Sequence, residues 1–192
     1  MILSISKCVF FERNLIISPP TPLTFLLGAV LLANIMAENS QQALVYRAWQ
    51  QLTRPLQVAE VQQFHAQQKF LLLAYDQPTY RKLGRELANQ TQLTDDFTQW
   101  YIDTLMAGLA KPASLKNNTN VLQHIQGFFK QQLDSKERQA LAALILDYHR
   151  GDVALIAPLS LIKTYLSKYP NAYLSQQNYL YQSDLADGEE LR

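Results

Sequence analysis

The chain has 192 residues, 48% of them apolar, with 17 basic residues against 16 acidic ones; this holds one domain with a real core and excludes a disordered composition. A net charge of +1 excludes a surface that grips phosphates throughout and leaves room for a local basic patch. The single cysteine, Cys8, excludes a disulfide framework, a cysteine-ligated zinc and an iron–sulfur cluster held by this chain alone, and is compatible with a reducing compartment.

Residues 1–40 read as an extension to the domain. Lys7, Glu12 and Arg13 precede the apolar residues 15–17, then come Pro19, Pro20 and Pro22, and then an apolar run over 23–36. That run is shorter than the roughly 20 apolar residues of a membrane-spanning helix. Extending it back to Leu15 would place the prolines inside the helix. Three readings stand: a translation start assigned too early, with Met36 as the first residue; a signal peptide with Ala33 and Ala37 near its end; and a membrane anchor. The first is preferred, because the composition turns at Met36 into AENSQQALVYRAW, an ordinary helix start. No stable membrane insertion is expected.

From Ser40 the chain reads as helix after helix. Ser40 caps a helix carrying Leu44, Ala48 and Leu52, stopped by Pro55. The next is expected over 58–75. It begins amphipathic, with Val61 and Phe64, and over 70–75 becomes apolar on all sides, hence deeply buried. Pro78 opens a helix over 79–90. Thr94 caps one that starts with Asp95 and Asp96, acids well placed for the helix dipole, and runs through Trp100, Leu105 and Leu109 to Pro112. A helix over 120–130 follows. Asp134 or Ser135 caps another, with Glu137 in its first turn, Leu141, Leu144, Ile145 and Tyr148 inside, and Gly151 at its end. Pro158 opens a helix through Tyr165, and Pro170 a last short one through Leu180. The tail, 181–192, is acidic. No segment alternates with a strand period, no hairpin dipeptide separates apolar runs and no solenoid repeat is present. The expected fold is all-α, a single domain over 41–180 with about seven to eight helices.

Within the helix over 120–130, Val121, Leu122, Ile125, Phe128, Phe129 and Leu133 share one side at about 100° per residue. Asn120, His124, Gly127 and Gln131 share the other. A glycine in the middle of that polar stripe costs about 1 kcal/mol relative to Ala, which the close approach of another backbone or of a ligand would explain. A solvated face with an incidental glycine is the plainer reading. On the second helix, His65, Lys69 and Asp76 lie within about 40° of one another. They read either as an acid–base pair or anion clamp, or as a boundary row in which Lys69 snorkels and His65 bonds a carbonyl. Arg81, Lys82 and Arg85 cluster on the third helix beside Tyr80, with Lys130 a possible neighbour and Glu86 as counter-charge to Lys82. They read as a phosphate-binding patch or a solvated face. No hydrolase, phosphate-loop, dinucleotide or metalloprotease motif occurs. His65, His124 and His149 share no metal-ligand spacing. No catalytic residue, metal ligand or cofactor is assigned.

Phe64-His65-x3-Lys69, followed by Gln77-Pro78-x-Tyr80-Arg81-Lys82-Leu83-Gly84, resembles the opening of the bacterial YbgA family. Thr119-Asn120-Val121-Leu122-x-His124-x-x-Gly127-Phe128-Phe129 is similar to its central motif. Ala157-Pro158-Leu159 with Ile162-Lys163-x-Tyr165, then Tyr173-Leu174-Ser175 with Gln177 and Tyr179, is similar to its closing part. The resemblance runs in order from about Gln57 to Tyr179 and does not cover residues 1–40. It implies a domain of poorly defined function that occurs alone or fused behind a cysteine-rich desulfidase domain acting on thiouracil, and hence an intracellular, cytoplasmic protein linked to thiolated nucleobases or transfer RNA. The desulfidase cysteines are absent here. The chain departs from the family pattern at Asn118 and Thr164, where the pattern often carries His, and at Phe128, where Tyr is usual. Binding survives these departures better than catalysis does.

The expected function is a non-catalytic module that binds nucleic acid, transfer RNA or a thiolated nucleobase, and acts with a desulfidase partner. The residues expected to bind are His65, Lys69, Arg81, Lys82, Arg85, Asn120, His124, Gly127, Lys130 and Lys163. The helices carrying His65 and His124 are expected to meet face to face, with Lys69 and Asn120 near the seam, since a buried polar row must find partners. Two other classes stay open: a small helical enzyme using His65, Lys69 and His124 as acid–base groups, and a protein–protein adaptor.

Overall fold

Residues 41–182 are described by a computed structural model. The N-terminal extension with its Ser40 cap, and the acidic tail beyond Gln182, lie outside the described residues. Every regular element within them is helical: α1 (Gln41–Gln50), α2 (Val58–Gln67), α3 (Lys69–Tyr75), α4 (Gln77–Ala88), α5 (Asp95–Leu109), α6 (Leu115–Phe128), α7 (Ser135–Arg150), α8 (Ile156–Lys168), α9 (Ala172–Ser175) and a closing 3-10 turn (Asn178–Tyr181).

The fold is built around α3. Its sequence, KFLLLAY, has no polar face after Lys69, and Phe70, Leu71, Leu72, Leu73 and Ala74 are all buried. Such a helix is stable only when surrounded. It packs against α4, α5, α6 and the closing 3-10 turn, while α1 lies on α5, α2 on α4, and α6, α7 and α8 pack in succession. No helix among the described residues is long and apolar enough to cross a membrane.

Local chemistry sets most helix ends. The side chains of Thr94 and Ser114 accept from the backbone N–H three residues on, at 3.1 Å each. Asp134 and Glu137 close a capping box, and Gly151 ends α7 at φ 83°. Glu137 also joins α7 to α8, because its carboxylate accepts from Lys168 at 2.7 Å and from the Tyr169 hydroxyl at 3.1 Å. Hydrogen bonding from Lys168, then from the Asp134 backbone, holds Glu137 below the ordinary carboxylate range.

The helix expected over 120–130 begins at Leu115 and ends at Phe128, and Phe128, expected on its apolar side with Val121 and Leu122, is exposed because it lies at the helix end. Three further expectations change. The helix over 58–75 is two helices, broken at Gln68 (φ −87°, ψ −1°), which is fully buried. The end of the chain closes the break. The Gln177 side-chain amide donates to the Ala66 carbonyl at 2.9 Å, and the Asn178 amide donates to the Gln68 carboxamide oxygen at 2.8 Å. The element expected over 170–180 is likewise split into α9 and the 3-10 turn, so the described residues hold nine α-helices. On α1 the buried residues are Val45 and Trp49, not Leu44 and Ala48. The indole sets that register, lying 5.3 Å from the Phe64 ring and 5.4 Å from that of Tyr101.

Asp76 does not face Lys69. It stands between α3 and α4, where it accepts from the Thr79 hydroxyl at 2.6 Å and pairs with the Lys111 ammonium beyond the end of α5. Burial pushes its carboxyl up, but hydrogen bonds from Lys111 and Thr79 outweigh that and hold it below its ordinary value. The same Thr79 presses on α5. A Cβ on Gly108 would stand 2.8 Å from its methyl carbon, so only glycine permits this approach.

Candidate functional site

His65 comes from the last turn of α2 and is buried against α4 and α5. Its ring lies parallel to that of Tyr80, with centroids 5.2 Å apart and planes within 2°. Its Nδ1 is hydrogen-bonded to the Tyr101 hydroxyl at 3.0 Å. Burial lowers its pKa from 6.5 to about 4, so the imidazole is neutral at physiological pH. The same burial pushes the Tyr101 phenol up. Nε2 is buried without a hydrogen-bond partner and packs against Gly84. The carbonyl partner expected for His65 is therefore a phenol from another helix.

Lys69 opens α3 beside this assembly. Its ammonium lies 5.4 Å from the Phe70 ring centroid and 5.8 Å from that of Tyr173 on α9. It also acts electrostatically on Tyr80, whose hydroxyl burial raises and Lys69 lowers in pKa, with a net rise. Tyr173 in turn stacks on Phe128 at the end of α6, 5.5 Å apart with planes at 14°. Phe128 remains 36% exposed. Lys69 has no carboxylate within ion-pair distance among the described residues. Phe70, Tyr173 and Phe128 thus form an aromatic platform, with one uncompensated ammonium against Phe70 and Tyr173. Tyr173 and Phe128 are invisible as partners in the sequence, being far apart in the chain and on helices of different length.

Arg81, Lys82 and Arg85 are exposed on α4, in the turn that follows Tyr80. Glu86 pairs with Arg85 (3.5 Å) and not with Lys82, whose ammonium lies 5.3 Å from the Trp100 ring centroid. Lys130 is exposed just after α6, and Lys163 lies on α8 with its ammonium 5.5 Å from the Tyr181 ring centroid.

The polar stripe of α6 is divided. His124 and Gly127 are exposed, and no protein atom comes within 4 Å of a Cβ built on Gly127, so no neighbouring chain accounts for that glycine. The expected meeting of His65 and His124 does not occur, because His65 turns into α4 and α5 while His124 faces outward on α6. Asn120 also lies away from Lys69. It lines a cleft of about 650 Å³ between α6 and α7, together with Gln77, Asn117, Gln123, Gln126 and His149. The carboxamide density of residues 117–126 is the signal in the sequence that could have found it.

Residues 69–183 match the family described as a protein of unknown function (DUF1722). Over 118 residues the chain is 47% identical to the uncharacterized protein YbgA of Escherichia coli strain K12, a stretch that covers 60% of this chain and 70% of that protein. No solved structure matches. The matched residues begin with Lys69 and include Tyr80, the basic cluster, the cleft and the Phe128–Tyr173 stack, and on this ground the chain belongs to the YbgA-like DUF1722 family.

Proposed function

We propose that this protein is a non-catalytic module that binds single-stranded segments of RNA, transfer RNA being the class to which the family resemblance points, and that it acts beside a desulfidase that supplies the chemistry. The observation that supports RNA is the stack of Phe128 on Tyr173 with the Lys69 ammonium against the Tyr173 ring. An exposed aromatic face accepts a base of any sequence, at about 1–3 kcal/mol per stacked base, and a nearby cation meets the phosphate. Arg81, Lys82 and Arg85 extend positive charge from Tyr80 along α4. The desulfidase partner rests on the family resemblance alone. The acid–base reading gains nothing from the geometry, since His65 is sequestered and neutral and His124 lies elsewhere.

The test is fluorescence anisotropy with labelled single-stranded RNA and with unmodified transfer RNA, over a range of salt. The expected result is saturable binding that weakens with salt, together with a roughly five-fold or greater loss for Tyr173→Ala. Affinity that is indifferent to salt and to Tyr173→Ala would overturn the proposal. Co-purification with a desulfidase from the same genome tests the partner separately.

A further inference from the structure

The cleft between α6 and α7 shares no residue with the aromatic platform, and its lining has a distinct chemistry. Five carboxamides, from Gln77, Asn117, Asn120, Gln123 and Gln126, face it. None of these side chains makes a hydrogen bond among the described residues, although four of the five are partly buried. A half-buried carboxamide carries two donors and an acceptor whose bonds must be made with something. Five together without a protein partner form a surface ready for a ligand with both donors and acceptors.

The opposite wall is aliphatic. Ile145 is buried beneath it and Leu146 stands 44% exposed at its edge. Thr119, whose hydroxyl donates to the Leu115 carbonyl at 2.8 Å, lies 3.3 Å from His149 Nδ1 at the same cleft. Among the described residues Lys116 is the only permanently charged one in the lining, and no carboxylate is present. The cleft therefore offers no carboxylate to a cation, does not require an anion, and pairs a hydrogen-bonding edge with an aliphatic wall. Carboxamides read the donor–acceptor edge of a base in just this way, with Asn or Gln bonding two adjacent atoms of the ring.

We infer that this cleft is a nucleobase site: the heterocycle lies against Ile145 and Leu146 and presents its edge to Asn120, Gln123 and their neighbours. The base can come from a free nucleoside or from a strand. The inference goes beyond the RNA platform and does not depend on it, because a free nucleoside needs no stacking on Tyr173.

The experiment is titration calorimetry with saturation-transfer NMR on the full chain, using adenosine, guanosine, cytidine and uridine singly, then the four homo-oligonucleotides. At least one nucleoside, or one oligonucleotide if the base is taken from a strand, is expected to saturate the protein. Asn120→Leu and Gln123→Leu are each expected to weaken that binding about ten-fold, the loss of roughly one good hydrogen-bonding pair. Their free side chains contribute no internal bond, so the melting temperature should hold. Asn120→Asp, which keeps the shape and removes the donors, guards against a packing artefact and is expected to weaken binding and change the preferred base. Tyr173→Ala should leave nucleoside affinity unchanged. Absence of binding by every nucleoside and oligonucleotide overturns the inference, as does wild-type affinity in the cleft variants. An equal loss of free-nucleoside affinity in Tyr173→Ala would move the ligand to the platform and overturn it too.

Discussion

The Nε2 atom of His65 lies 3.2 Å from the point where a Cβ on Gly84 would stand. The imidazole cannot retreat, because Tyr80 stacks on its face and Tyr101 holds Nδ1. This contact, together with the approach of Thr79 to Gly108, fixes α4 against α2 and α5.

Three glycine-to-alanine changes should therefore diverge. All three positions are helical, where alanine is worth up to about 1 kcal/mol over glycine in propensity. Gly127→Ala should realise that gain, since its surroundings are open. Gly84→Ala should lose it and be destabilised. Gly108→Ala should be the worst, by about 1–3 kcal/mol, because Thr79 is tied to Asp76. Chemical denaturation of the three variants gives the order directly, and a stabilised Gly108→Ala would contradict it.

Stability should fall with acid before the carboxylates contribute. Unfolded, His65 titrates near its ordinary 6.5, and folded, near 4. Above pH 6.5 it is neutral in both states and adds no pH dependence. As the pH drops from 6.5 toward 4, the unfolded chain takes up a proton that the folded one refuses, so stability declines, in all by on the order of 3 kcal/mol. Asp76 and Glu137, held below their ordinary 3.8 and 4.5, lose their contributions only below those values. Thermal melts of the wild type and His65→Gln between pH 7 and pH 4.5 should show a steeper decline for the wild type. Parallel curves would mean that the imidazole is not desolvated.

Tyr179→Phe should cost about 1–3 kcal/mol. The buried Tyr179 hydroxyl donates to the side-chain oxygen of the buried Asn118 at 2.9 Å, and its removal leaves that acceptor short of a partner. The variant keeps the ring and its packing, so a melting temperature equal to wild type would show that the bond carries no net weight.

Replacing both Arg81 and Arg85 with Ala should barely change stability, by about 0.5 kcal/mol or less per site. Among the described residues their one ion pair, Arg85 with Glu86, is exposed at 3.5 Å. RNA affinity should fall several-fold, and the slope of log K against log salt should flatten by about 0.7 per lost phosphate contact. Unchanged affinity with a large loss of stability would show that these arginines serve the fold.

What could be read in the chain was what neighbours in sequence decide. Thr94, Asp134 and Gly151 mark helix ends through bonds that close within a few residues, and KFLLLAY declares its own burial. The Gln68 break could not be read, because a local pattern of apolar residues runs straight through it and the groups that close it lie at the other end of the chain. The α6 stripe was visible as polar. Its division between an exposed face and a cleft depends on where α7 lies. The cost of Gly127 is real, but cost alone does not reveal a neighbour, and among the described residues the glycines that have one are Gly84 and Gly108.

The bonds that close the Gln68 break span 110 and 111 residues. During synthesis at about 5–20 residues per second, α2 and α3 leave the ribosome several seconds before Gln177 and Asn178 exist. Over that interval the Gln68 carboxamide and the Ala66 carbonyl lack their side-chain partners, and α3 lacks the closing turn among the elements that pack against it. The nascent chain therefore cannot close the break before its central helix until these residues are made. Gln177 and Asn178, translated long after Gln68, act as the latch, and a chain that stops short of them leaves the α2–α3 break open.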